Sequence, residues 1–289
     1  MNMDLTQRIQ HYYKSMSKGQ KIIAEYILTH YDKAAFMTAS KLGHTVGVSE
    51  STVVRFALIL GYEGYPKLQR ALQELIRNKL TTVQRMELSE GMESSNILES
   101  VLKKDMNNIR MSIEELDKKA FQDVVESIFE AKNVYILGLR SSSVLAQFLG
   151  YYLNYALDNI KVVTSGVSDI FDQMARIGPK DLLICISFPR YATRALEGLK
   201  FAKQNEAQTV AITDSQLSPL KEHADICLTA HSDMASYVDS LVAPLSLLNA
   251  LVVAVANRKK GDLTSHFSNL EAIWNQYGVY MGKDYTLDE

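Results

Sequence analysis

Two cysteines, five prolines and a single tryptophan in 289 residues rule out several kinds of protein at the start. Cys185 and Cys227 sit inside the apolar runs LLICISF and DICLTA. They read as small buried hydrophobes, and two thiols make no disulfide framework. No cluster has metal-ligand spacing, so neither a metal nor a cofactor is expected. Long apolar runs are also missing: no stretch reaches the ~18 uninterrupted apolar residues that a membrane-crossing helix needs. The longest candidate, LVAPLSLLNALVVAVAN at 241–257, contains Pro, Ser and Asn and runs into Arg258, Lys259 and Lys260. It reads as a buried helix. The N-terminal MNMDLTQRIQHYYKSM lacks the apolar core of a secretion signal, so a cytoplasmic protein without a membrane partner is expected.

Charge is present in both signs but unevenly placed. Residues 1–85 hold 12 Lys and Arg against 6 Asp and Glu, which leaves 19 basic and 27 acidic residues for the rest. A basic head on an acidic body is the distribution expected when only the head meets a polyanion. Single cores rarely grow beyond about 250 residues, so a chain of 289 suits two domains.

Three textures follow one another along the chain. Residues 1–79 carry helical periodicity throughout and form an all-α helix-turn-helix domain. Residues 80–118 are a linker, with SEGMESSN (89–96) as a loop and ILESVLKKDMNNIRMSIEEL (97–116) as a connecting helix. From 119 to 289 short apolar strands (NVYILGL, IKVVTS, DLLICISF, AQTVAIT and ICLTA) alternate with helices and end in a helical tail. Apolar strands separated by helices imply a parallel sheet buried on both faces, hence a three-layer αβα sandwich with a parallel five-stranded sheet. Helices are expected at SDIFDQMARI and, as one long element, at 236–258.

In the head, Ser17-Lys18-Gly19-Gln20 has the S-x-x-Q form of a capping box. Thr38 is positioned to cap a short helix through Leu42, and Gly47 to supply the positive φ of a tight turn. Ser49 then caps a helix from Glu50 to about Leu60. Val53, Phe56, Ala57 and Leu60 fall at helical spacing and form its inward stripe. In a helix-turn-helix the second helix enters the major groove by its N-terminal end. Thr38, Ser49, Glu50, Ser51, Thr52 and Arg55 are therefore the candidate DNA-contacting residues. The hydroxyls can reach phosphates or base edges, and Arg55 can fork onto a guanine or a phosphate.

In the body, the first strand ends in Gly138-Leu139-Arg140-Ser141-Ser142-Ser143 and runs straight into a helix. Such a junction gathers backbone N–H groups and a positive helix end at one spot, suited to an anion. The third strand ends similarly, with Ser187, Arg190, Thr193 and Arg194 close together. The candidate effector-binding residues are Arg140, Ser141, Ser142, Ser143, Ser187, Arg190 and Thr193.

TASKLGHTVGVSESTVVRFALILGYEGYPKL (38–68) resembles the N-terminal domain of the RpiR family of regulators. The likeness rests on Gly47, Val48, Ser49, Thr52, Val53, Arg55, Phe56, Leu60, Gly61, Tyr62, Gly64 and Tyr65; Gly43 stands where the family usually has Ala. Residues 120–258 resemble the sugar isomerase (SIS) domain, through Gly138, Ser142 and Ala146 and through Ile212, Thr213, Asp214, Ser218, Pro219, Leu220, Ala224 and Asp225. Arg140 replaces the second Gly of the first motif. Where the family has S-x-S-G-x-T, this chain has Ser187-Phe188-Pro189-Arg190-Tyr191-Ala192. The departure leaves two outcomes: Arg190 turns inward and holds the anion by charge, or Arg190 and Tyr191 fill the pocket.

The resemblance implies a DNA-binding regulator of carbohydrate-metabolism genes whose SIS domain senses a phosphorylated sugar or related anion. Its partners would be double-stranded DNA bearing a pseudo-palindromic operator and a second copy, as a homodimer or homotetramer. The helices 141–157 (Tyr151, Tyr152, Leu153, Tyr155) and 236–258 are candidates for a dimer face. A sugar-phosphate isomerase, a regulator with a non-phosphosugar ligand and a plain interaction module are the alternatives. His223, Asp214, Asp169, Asp172 and His231 are the groups an isomerase could use as a base. None can be paired from sequence with a second acid–base group, so no catalytic residue is assigned.

Overall fold

The computed structural model describes residues 5–77, 81–87 and 96–281. The chain divides into two compact units, residues 1–91 and 92–289.

The first unit is helical: α1 (Leu5–Tyr12), α2 (Lys18–Thr29), α3 (Tyr31–Ala34), α4 (Ala39–Val46), α5 (Glu50–Ile59), α6 (Tyr65–Arg77) and α7 (Thr82–Glu87). Both halves of the capping box at α2 are made, since Ser17 and Gln20 each accept the other's backbone N–H. The turn from α4 to α5 passes through Gly47 at φ 74°, a left-handed conformation that costs an L-residue roughly 1–2 kcal/mol. Ile23, Ile27, Leu42, Val53, Phe56 and Leu68 are fully buried and weld α2, α4, α5 and α6 into one core. Long polar side chains tie off the backbone around α3. The Tyr65 hydroxyl and the Gln69 amide both donate to the Met37 carbonyl, at 2.7 and 2.8 Å, and Gln73 donates to that of Ala35.

The second unit begins with α8 (Ile97–Glu114) and α9 (Lys118–Glu130), then β1 (Val134–Gly138), α10 (Ser142–Ala156), β2 (Ile160–Val163), α11 (Ile170–Gln173) and β3 (Leu182–Ile186). It continues with α12 (Thr193–Gln204), β4 (Gln208–Thr213), β5 (Ile226–Thr229), α13 (Val242–Arg258) and α14 (Lys260–Tyr277). The five strands are parallel in the order β2-β1-β3-β4-β5. Alternate residues serve opposite faces. Ile136, Ile184 and Ile212 pack with α9, α10 and α13, while Leu137, Leu183 and Ala211 pack with α11 and α12. This is the three-layer αβα architecture that the strand pattern implied. Burial pushes the thiols of Cys185 and Cys227 up to about 12 and about 11, so both remain neutral members of the sheet core.

Two segments depart from the sequence pattern. The helix expected over 236–258 starts only at Val242, because Pro244 lacks an N–H and fits the first helical turn, where the amides are unpaired anyway. The helix expected at SDIFDQMARI shortens to α11, as the amides of Ala175 and Ile177 turn to carbonyls three residues back. The connecting helix α8 packs along α13. Asn108, fully buried, donates from its amide to the Asp233 carbonyl and accepts from the Asp233 N–H at 3.1 and 3.2 Å. Residues 88–95, most of the expected loop, lie outside the described residues.

Candidate functional site

The outward face of α5 is set by its cap. Ser49 Oγ accepts from the Thr52 amide and lies 2.9 Å from the hydroxyls of both Ser51 and Thr52. Three hydroxyls therefore gather at the helix's positive end, where phosphate oxygens are favoured. Ser49, Glu50, Ser51 and Arg55 are exposed, with Ser51 and Arg55 one turn apart on the same side. Thr52 is half-buried, its methyl lying against Gly19 of α2. Thr38, also exposed, caps α4 by accepting from the Lys41 amide at 3.1 Å. The structure thus places Thr38, Ser49, Glu50, Ser51 and Thr52 at the N-terminal ends of the two helices of the motif, and Arg55 in the middle of α5. One basic residue of the head works differently. Arg8 donates to the Leu60 carbonyl at 3.0 Å, closing the C-terminal end of α5, and stacks over the Tyr62 ring. A contact between residues 52 positions apart leaves no local sequence signal.

In the second unit the chain leaves β1 for β2 on one side and then returns across β1 to build β3 on the other. At such a reversal the loops following the two strands diverge over opposite faces and open a crevice between them. Gly138, the last residue of β1, pairs with Ile186, the last of β3, so the loops at 139–141 and 187–192 start side by side. Gly138 is required there: a Cβ would stand 2.5 Å from the Ser142 carbonyl oxygen and 2.7 Å from the Ala146 Cβ.

The side chains divide between those spent on the fold and those left to the crevice. Arg140, at the position of the motif's second glycine, holds φ 55° and is exposed. Ser141 precedes α10 but makes no side-chain cap, and Ala192, which precedes α12, has no side chain that could make one. Neither helix has a side-chain cap, but the amides of Ser142 and Ser143 at the start of α10 donate to the carbonyls of Leu139 and Arg140, both at 3.1 Å. Ser142 and Ser187 are buried, with no side-chain hydrogen bond among the described residues. Ser143 donates to the Arg140 carbonyl at 2.7 Å, so its proton holds the loop. Arg190 and Thr193 are exposed on the facing loop and helix start. Arg194 is turned away, paired with Asp169 and Glu197 and stacked over Phe171.

Tyr191 has the role sequence could not assign. Its hydroxyl donates to Asp214 at the end of β4, at 2.7 Å, and Asp214 also accepts from Thr213. The strand order, which sets β4 beside β3, is the signal that would have brought the two together. The possible bases are dispersed. Asp169 and Asp172 form a capping box at α11, while His231 lies 3.0 Å from Glu115 beyond β5. His223 belongs to a single helical turn before β5. No group of three metal-binding side chains exists among the described residues, and no described helix is long and apolar enough to cross a membrane.

Comparison with known proteins accords with both halves. The model of the helix-turn-helix domain of the rpiR family matches residues 3–79, and that of the SIS domain matches residues 127–254. A relative from Haemophilus influenzae, named an uncharacterized HTH-type transcriptional regulator, is 29% identical over 220 residues, covering 75% of this chain and 76% of its own. The crystal structure of the sugar isomerase domain of an RpiR transcription factor from Sphaerobacter thermophilus superposes with a TM-score of 0.59 at 27% identity, over 61% of this chain and 99% of that one. The Vibrio vulnificus NanR protein, solved in complex with ManNAc-6P, shares the fold over 94% of this chain and 98% of its own, with a TM-score of 0.56 at 20% identity. With a helix-turn-helix built around Gly47 and, later in the chain, a five-stranded SIS sheet, the chain belongs to the RpiR family of transcriptional regulators.

Proposed function

We propose that this regulator binds a pseudo-palindromic operator near carbohydrate-metabolism genes and changes its grip when the SIS unit captures a phosphorylated sugar or related anion. The observation that carries the ligand half is the crevice between β1 and β3. There the start of α12, without a side-chain cap, and the buried hydroxyls of Ser142 and Ser187 on the two adjoining loops offer donors to an anion's oxygens. Arg140, Ser141, Arg190 and Thr193 supply charge and further donors around it. NanR is a relative in fold that binds such a ligand, ManNAc-6P. For the operator, Arg55, Ser49, Glu50, Ser51 and Thr52 meet the groove and Thr38 the backbone. One head makes few phosphate contacts, so two copies, as a dimer or tetramer, read the two half-sites in the cytoplasm. Regulation needs only 1–3 kcal/mol of coupling between sites, and no turnover.

The test is a titration of the full chain on its own upstream DNA, with and without a panel of sugar 6-phosphates. One member should raise the melting temperature and shift operator affinity at least tenfold. The reading fails if no phosphorylated sugar does either, or if the purified protein interconverts one catalytically.

A further inference from the structure

Asn108 and Met111 are the buried residues of α8, and only the second is apolar. What fixes this helix on its unit is a polar seam. Asp105, Asn108 and Ser112 share one face of α8 at steps of three and four, and Glu115 stands at its end. All four pair with the single segment 231–240 that joins β5 to α13. Ser240 donates to Asp105 at 2.6 Å, and Asn108 exchanges two hydrogen bonds with the Asp233 backbone at 3.1 and 3.2 Å. Ser112 accepts from the His231 amide at 2.8 Å, and the His231 ring lies 3.0 Å from the Glu115 carboxylate. Between the two clasped residues sits Ser232, fully buried, its hydroxyl without a hydrogen-bond partner among the described residues.

We infer that this seam is a releasable clasp, through which the crevice between β1 and β3 governs the chain leading to the head. An apolar seam cannot part without exposing its side chains to water, whereas hydrogen bonds exchange for bonds to water at small net cost. The clasp can therefore open while the sheet stays intact. The unpaired Ser232 hydroxyl works in the same direction, since it disfavours the closed arrangement and any shift that gives it a partner offsets lost bonds. A short route joins the clasp to the crevice. Tyr191, on the loop after β3, donates to Asp214 at 2.7 Å. The neighbouring Thr213 accepts the Ala230 amide on its carbonyl at 2.9 Å, and the clasped His231 and Asp233 follow within three residues. Every step is a hydrogen bond or a chain neighbour, so a loop drawn onto an anion moves the ends of β4 and β5 and the segment beyond them. Among the described elements of the second unit, α8 is the nearest to the head along the chain. Coupling between two sites needs an element with two arrangements that both sites bias, and the clasp has that form. The inference rests on the reading of an anion-sensing regulator and assigns its transmission to Asn108, Ser112 and Asp105.

Two experiments on the full chain test the clasp. The first needs no effector and compares amide hydrogen exchange in the parent and in Tyr191→Phe. The rise in exchange at 231–233 should be at least fivefold larger than that in β2, at the opposite edge of the sheet. Equal rises, or none at 231–233, overturn the route. The second titrates operator DNA with and without fructose 6-phosphate, glucose 6-phosphate and ManNAc-6P. For a sugar phosphate that shifts the parent's operator affinity tenfold, Asn108→Ala should keep the rise in melting temperature on binding it. Its operator affinity should nevertheless move less than twofold. Asp105→Ala, at the half-buried end of the seam, should cut the shift below fivefold even where Asn108→Ala does not fold. A full tenfold shift in either folded variant overturns the inference and leaves the functional reading standing. A parent that responds to none of the three overturns that reading, and the inference with it.

Discussion

The Tyr191 hydroxyl donates to the Asp214 carboxylate at 2.7 Å, tying the loop after β3 to the end of β4 beside the candidate anion crevice. Asp214 is buried and also accepts from the Thr213 hydroxyl, so losing the tyrosine donor leaves its negative charge less well satisfied beside the proposed anion site. Tyr191→Phe keeps the ring and removes the donor. Hydrogen bonds to charged groups contribute about 1.5–3 kcal/mol, so denaturant unfolding should show a loss in that range. Affinity for a phosphorylated sugar, measured by calorimetry, should fall at least fivefold, with a smaller change for the unphosphorylated sugar. Equal losses for both would mean that the tyrosine acts on the sugar ring instead.

Arg140 stands at φ 55°, where a glycine would rest without strain. A strained non-glycine residue at a candidate site is a reason to suspect function. Arg140→Gly should leave stability unchanged or raise it by about 1 kcal/mol, because the left-handed conformation no longer opposes a side chain. The same change should weaken binding of a phosphate-bearing effector at least tenfold. If stability rises and affinity holds, the guanidinium has no part in the ligand.

Gly43 shows how position and packing can disagree about a residue. By helix propensity alone Ala would be better in mid-helix by about 1 kcal/mol. Here, however, a Cβ at 43 would stand 2.8 Å from the Val48 carbonyl oxygen, a backbone atom that cannot rotate aside. Gly43→Ala should therefore destabilise the head, and operator affinity should fall as the turn carrying Ser49 is displaced. Thermal unfolding followed at the head is the measurement. An alanine that stabilises would show that the turn relaxes freely.

The sequence carried what is local or periodic. The caps at Ser17, Thr38 and Ser49, the turn at Gly47 and the stripe from Val53 to Leu60 are each written in adjacent residues or at helical spacing, and each is formed. The five strands were visible because a parallel sheet covered on both faces needs unbroken apolar runs. What sequence could not carry is choice of partner. Arg194 stands four residues from Arg190 in the chain, yet Asp169, 25 residues away, takes it. Three serines in a row after Gly138 looked equivalent, but one holds its own loop, one is exposed and one is buried. The clasp between α8 and the segment after β5 joins residues about 120 apart and left no trace in the pattern.

Tyr65 ties the head's stability to alkaline pH. Burial pushes its phenol from 10.0 up to about 12, and the neutral hydroxyl donates to the Met37 carbonyl. A group whose folded pKa is raised contributes fully below its unfolded value and loses that contribution as pH climbs through the folded one. Stability of the head should therefore fall between pH 10 and 12. Tyr65→Phe should be less stable than the parent at pH 8 and should lack this part of the decline. Parallel curves for the two proteins from pH 9 to 12 would show that the phenol does not titrate with folding.

Arg55 lies one turn beyond Ser51 on the exposed side of α5, while Val53, Phe56 and Ala57 anchor the opposite side. Its removal therefore touches recognition and leaves the core alone. Arg55→Ala should keep the parent's melting temperature within about 4 °C, since exposed substitutions rarely move stability by more than ~0.5 kcal/mol. Operator affinity should fall by about 1–3 kcal/mol if the guanidinium forks onto a guanine. Salt separates the two roles an arginine can play there. Loss of a phosphate contact weakens all sequences alike and lowers the slope of log affinity against log salt by about 1. Loss of a base contact spares nonspecific DNA and relaxes discrimination at one base pair of each half-site. A variant that holds its operator within twofold of the parent would remove α5 from the groove and with it the assignment of all six head residues.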